Sequence, residues 1–132
     1  AEALGYIRAS HDLFQAGLQQ EAILAFRQGA VAWPEKSIVQ MALANAEYQL
    51  GNYEAAYDAL LNELSFHANN ASAWNNLAYT LLRRACYSEA QEAVQCAQKL
   101  APDDENIQQS LTEVMAKQDE NTRQCPIPSC PM

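Results

Sequence analysis

The sequence predicts an all-α chain of stacked helical hairpins, and three observations predict it. Between Ala71 and Asp104 apolar residues recur at steps of three and four: Trp74, Leu77, Ala78, Leu81 and Leu82, then Tyr87, Ala90, Val94, Ala97 and Leu100. That spacing sets one face of each of two short helices against the other. Small residues fall where the backbones cross, at Ala78, Ala90 and Ala97. Pro102 closes the second helix, because it lacks an N–H and restricts the residue before it. The second observation is repetition. Moved back by 34 residues, the frame finds Leu43, Ala44, Gly51, Tyr53, Ala56 and Leu60; moved back again, it finds Tyr6, Gly17, Ala22, Phe26 and Pro34. Tyr6 matches Trp74, Pro34 matches Pro102, and Ala22, Ala56 and Ala90 coincide. The third is where the pattern stops. Beyond Asp119 no periodicity survives, and three prolines in the last eight residues forbid helix and favour an extended strip.

Taken in order, the first copy (3–36) predicts helices at about 2–17 and 20–33, the second (37–70) at about 37–50 and 53–66, and the third (71–104) at about 71–84 and 88–100. Gly51 and Asn52 make a turn. Ser88 is the expected N-cap of the sixth helix, with Gln91 as its capping-box partner. Asp103 and Asp104 open a seventh helix over 105–118. Its apolar residues Ile107, Leu111, Val114 and Met115 form one stripe with polar residues around it. That is what a terminal capping helix needs: one face for the repeats and one for water. The repeat domain is thus 1–118, and 119–132 is a linker and a tail rich in cysteine and proline.

The balance of 8 basic against 16 acidic residues, a net charge of −8, disfavours nucleic acid, which needs clustered Lys and Arg, and anionic membrane surfaces. No apolar run approaches the roughly 20 residues needed to span a bilayer, and no signal peptide is visible. The start at Ala1 reads as a processed chain or an excised domain. Phosphate-binding glycine loops, GxSxG and HExxH are absent, and no zinc-type cysteine spacing occurs. The expectation is no enzyme, no cofactor and no metal.

The four cysteines crowd the last third. Cys86 and Cys96 stand ten residues apart on or beside the sixth helix, about 15 Å along its axis, too far to pair with each other. Cys125 and Cys130, five apart in an extended strip, also span about 15 Å. A tail laid back along the sixth helix would form Cys86–Cys125 and Cys96–Cys130. The crossed pairing stays open, as do four reduced thiols in a cytoplasmic protein. Two bonds would imply an oxidising compartment, a bacterial periplasm or cell exterior.

The fixed offsets of an aromatic, a small residue, an alanine and a proline over 34 residues resemble the tetratricopeptide repeat family from Ala3 to about Asp104. The departures are Gln40 for the first aromatic of the middle copy, Ala68 for its proline, and Ala85 for the turn glycine of the third. The resemblance implies a right-handed superhelical solenoid of three hairpins and a capping helix. It also implies that the first helix of each copy lines a groove that takes an extended peptide of a protein partner. By position, the groove residues are Leu4, Ile7, His11, Phe14 and Gln15; Ile38, Met41, Asn45, Tyr48 and Gln49; and Ser72, Asn75, Tyr79, Leu82 and Arg83. Arg8 and Arg83 are the basic residues placed near it. Asn45 and Asn75 offer both donor and acceptor to a peptide backbone, and Tyr48 and Tyr79 add contact area with a polar tip. Phe14, Tyr48 and Leu82 suit packing against adjoining helices as well, and His11 suits plain solvation. Members that dock chaperones hold a C-terminal carboxylate with lysine, arginine and asparagine. Here Ile7 and Ser72 stand where that pattern has lysine and Asn76 where it has arginine, so that mode is not expected.

The run AWNNLAYTLLRRACYSEAQEAVQCAQKLAPDD, with its cysteine–proline tail, also looks like the C-terminal repeat region of exported proteobacterial proteins that carry a papain-like peptidase domain. On that resemblance the chain would be an accessory domain docking a substrate or partner for a peptidase elsewhere in a longer chain. A third reading is self-association through an exposed solenoid end.

Overall fold

The computed structural model describes residues 2–117 and 123–131. Among them are seven helices and no strand: α1 (Glu2–Gln15), α2 (Gln19–Ala32), α3 (Ser37–Gln49), α4 (Tyr53–Phe66), α5 (Ala71–Arg83), α6 (Tyr87–Leu100) and α7 (Glu105–Met115). None is long and apolar enough to cross a membrane. Several stop short of the expected ends, and the turns explain three of them. Gly17, Gly51 and Ala85 have φ of 86°, 80° and 63°, the left-handed conformation that ends a helix. After each, an amide bonds back to a helical carbonyl five residues upstream: Leu18 N to Leu13 O at 3.0 Å, Asn52 N to Glu47 O at 2.8 Å and Cys86 N to Leu81 O at 2.8 Å. The turn geometry therefore persists in the third copy, although alanine must adopt it there. The expected Gln118 end of the capping helix lies outside the described residues.

Packing divides the chain into two compact units, residues 1–63 and 64–132, with the division inside α4. In the first unit α1, α2 and α3 pack on one another around Ile7, Ile23, Phe26, Val39 and Leu43. Each such side chain contributes about 1.5–3 kcal/mol by leaving water. Gly29 lets α1 approach α2: a Cβ there would stand 3.3 Å from the Tyr6 ring. A polar knot ties α2, α3 and the turn together. Glu47, 2 % exposed, accepts two bonds from Arg27, at 2.9 and 3.0 Å, and one from the Asn52 amide at 3.0 Å. The same carboxylate holds the Arg27 pKa above its ordinary value, mainly through the hydrogen bond. Ser37 donates to the buried Glu63 at 2.6 Å.

In the second unit α5 packs on α6, and α7 on both, around Trp74, Leu77, Leu81, Val94, Ile107 and Val114. Ala78, Ala90 and Ala97 are fully buried, as close helix crossing requires. Asn70 caps α5 and Asp104 caps α7, each accepting from the amide three residues on. The expected Ser88 cap is corrected. The sharp turn at Ala85 starts α6 at Tyr87, so Cys86 holds the N-cap position without a side-chain capping hydrogen bond and Ser88 is exposed in the first turn. Gln91 donates to Lys117 O at 3.1 Å instead. That contact and the bond from Arg123 N to Ala85 O at 2.8 Å return the chain to the start of α6. There Cys86 pairs with Cys125 and Cys96 with Cys130, at Cα separations of 6.0 and 5.6 Å.

One polar contact recurs at the 34-residue spacing. Gln40 Nε2, Trp74 Nε1 and Gln108 Nε2 each donate to the carbonyl six residues upstream, of Pro34, Ala68 and Pro102, at 3.0, 2.9 and 2.9 Å. Gln40 departs from the aromatic pattern in shape, yet it keeps the N–H that the position uses.

Candidate functional site

The first helices of the copies carry the residues that sequence reasoning singles out. In the first unit, α1 and α3 bring His11 and Asn45 to the rim of a small depression that Phe14, Phe26, Ala42 and Gln49 also line. His11 is exposed and meets the Phe26 ring edge-on, at a centroid distance of 5.6 Å. Phe26 is core, so packing orients the imidazole. Arg8 and Asn45 are exposed, Met41 and Tyr48 half-buried. Tyr48 stacks edge-on with Tyr53 at 5.2 Å, which fixes its ring. Ile7 is corrected: at 4 % exposure it belongs to the core, one turn from the exposed His11, because the apolar stripe of α1 passes through it.

In the second unit, α5 places Asn75, Tyr79 and Arg83 at successive steps of four. Arg83 is exposed and the other two half-buried. The Tyr79 hydroxyl donates to Glu113 Oε2 at 2.5 Å, and Gln109 donates to the other oxygen of that carboxylate at 3.2 Å. Tyr79 is thereby anchored to α7. The Asn75 Oδ1 atom is buried without a hydrogen-bond partner, an acceptor that costs free energy until a donor reaches it. Glu113 escapes sequence reasoning, because a charged residue on the polar side of a capping helix carries no periodic signal. Among the described residues no cluster of His, Cys, Asp and Glu is placed to hold a metal. The arrangement offers amides, phenols and an imidazole: hydrogen-bonding and contact surface.

Solved structures with the same helical course decide the fold. The first repeat domain of Spaghetti (RPAP3), bound to the HSP90 peptide SRMEEVD, superposes with a TM-score of 0.76 over 86 % of this chain and 90 % of that one, at 18 % identity. The fold is that of tetratricopeptide repeat domains. The second repeat domain of human RPAP3, in complex with the HSP70 peptide SGPTIEEVD, gives 0.77 over 87 % and 96 %, at 16 % identity. The Sgt2 repeat domain of Aspergillus fumigatus gives 0.77 over 87 % and 78 %, at 17 % identity. No protein-family model matches the chain, and no curated protein does. The resemblance to exported peptidases has no counterpart among these neighbours.

Proposed function

We propose that this tetratricopeptide repeat domain binds an extended peptide of a protein partner and performs no chemistry of its own. The fold supports this reading, since two of its neighbours were solved with peptides. The observation that carries it to particular residues is the unsatisfied Asn75 Oδ1. Asn75 is half-buried on α5 beside Tyr79 and Arg83, and its amide turns outward for a ligand's donor to reach that oxygen. The first unit carries a candidate set of its own: Arg8, His11, Met41, Asn45 and Tyr48. Those two neighbours' peptides end in EEVD. Here the lysine positions of the chaperone-docking pattern are Ile7, which is buried, and Ser72. The ligand is therefore held by amide and aromatic contacts rather than as a clamped terminal carboxylate. The repeat domain is taken as 1–118, with 119–132 as its tail.

Peptides selected from a displayed random library supply the test ligand. Replacing Asn75 by alanine, and in a separate variant Asn45, weakens a peptide selected on the corresponding unit's face by about fivefold, one lost hydrogen bond being worth about 1 kcal/mol. Unchanged affinity by titration calorimetry rules these faces out. The disulfides support an oxidising location, a bacterial periplasm or cell exterior, rather than the cytoplasm. Self-association is a second reading, favoured by Leu24 and Val31, 57 % and 83 % exposed and seven residues apart on α2. A sedimentation coefficient independent of concentration removes it.

A further inference from the structure

The tail leaves a cleft of about 390 Å³ against α6, within the size range of ligand sites. Glu92, Gln95 and Lys99 line one wall, in steps of three and four that share one stripe of α6. The strip from Ile127 to Cys130 forms another wall. Glu92, Gln95 and Lys99 are exposed, and none of their side chains makes a hydrogen bond or ion pair among the described residues. The strip is unusual in its backbone. Prolines at 126, 128 and 131 carry no N–H, which leaves Ile127, Ser129 and Cys130 as its donors. Arg123 N bonds to Ala85 O and Pro126 also has a partner, whereas Ile127 and Ser129 take part in no backbone bond among the described residues. Extended backbone groups without partners can be bound through main-chain hydrogen bonds, and the prolines on either side confine such bonding here to Ile127 and Ser129.

We propose that this cleft is a second peptide site. It binds an extended segment of a partner protein through the free amides and carbonyls of Ile127 and Ser129 and through the Gln95 side-chain amide. Glu92 and Lys99 lie about 10 Å apart along α6 with opposite charges, so they set the direction of the segment. A basic residue sits toward Glu92 and an acidic one toward Lys99. The wall that supplies the main-chain groups is held to α6 by Cys86–Cys125 and Cys96–Cys130, so the site exists in the oxidised chain and is lost on reduction. Asn75, Tyr79 and Arg83 are not among its lining residues, so this site and the one proposed above stand or fall separately.

The test is a chemical-shift titration of the full, oxidised, isotope-labelled chain with acetyl-Lys-Thr-Val-Thr-Glu-amide up to about 5 mM, the weak end of the affinity scale. The backbone amides of Ile127 and Ser129 and the side-chain amide of Gln95 shift together. The response falls at least about tenfold for a backbone-N-methylated peptide, for the reduced chain, and for S129P, which removes one donor. Intact mass without reductant checks that S129P keeps both disulfides, and Gln95→Ala on the surface of α6 gives an independent variant with a severalfold loss. Absence of shifts at Ile127 and Ser129, or equal binding of the N-methylated peptide or by S129P, overturns the proposal. Shifts confined to Asn75 and Tyr79 overturn it too, while leaving the α5 site in place.

Discussion

The two units are built from one repeat but are locked differently. In the first, the link from α2 to α3 is polar: a buried Glu47 held by Arg27 and Asn52, all within hydrogen-bond distance. In the second, α6 and the tail are joined covalently, with loops of 39 and 34 residues closed by the two disulfides. The polar knot draws its strength from a carboxylate that has nowhere else to go. The disulfides draw theirs from what they deny the unfolded chain. The first kind of lock answers to mutation of one partner, the second to redox conditions.

Four expectations sharpen that contrast. The largest is reduction, or Cys96→Ala with Cys130→Ala: about 2–4 kcal/mol lost per bond. Urea unfolding followed by near-ultraviolet dichroism reads it, and a loss below about 0.5 kcal/mol would show the tail to be ornamental. Next comes Arg27→Ala, which strands the Glu47 carboxylate and costs about 1–3 kcal/mol. Chemical unfolding of the oxidised chain measures it. The Arg27 pKa is raised in the folded state. A base with a raised pKa contributes stability that is fully present below its unfolded pKa and lost only as pH climbs through the folded one. This contribution is therefore flat across neutral pH, and a step there contradicts the assignment. The third concerns the turns. Ala85→Gly relieves a left-handed alanine and stabilises by about 1 kcal/mol, whereas Gly51→Ala costs about as much. No atom lies within 4 Å of a Cβ at Gly51, so conformation alone sets that cost. Thermal melts of the two variants should move in opposite directions. Smallest is Tyr79→Phe, at about 0.5 kcal/mol because the pair with Glu113 is exposed. A larger effect would mean that α7 is docked through this hydroxyl more than through Ile107 and Val114.

Much of the fold is legible in the residues because helix periodicity and repetition reinforce each other. Trp74, Leu77 and Leu81 announce their own face, and the 34-residue offset carries the same reading to weaker copies. The errors fall where a local signal competes with tertiary structure. Ser88 has the chemistry of a cap, but the preceding turn starts the helix before it. Ile7 occupies a position the resemblance assigns to the groove, yet the α1 stripe draws it inward to 4 % exposure. Gln40 looks like drift until the structure shows its amide making the bond that the Trp74 indole makes 34 residues later.

Residue spacing and proline were enough to place the helices, their repeat and the break before the tail. For the cysteines the sequence offered cross-links between α6 and the strip, since ten helical residues and five extended ones have the same reach, and left four reduced thiols open beside them. Only the tertiary structure chose between the parallel and crossed pairings, placed Glu113 beneath Tyr79, and opened a cleft beside α6. The pairing and the cleft depend on where the chain returns after α7, and the Tyr79–Glu113 contact on how α7 packs against α5; both are set by packing between elements distant in sequence, which no local pattern encodes.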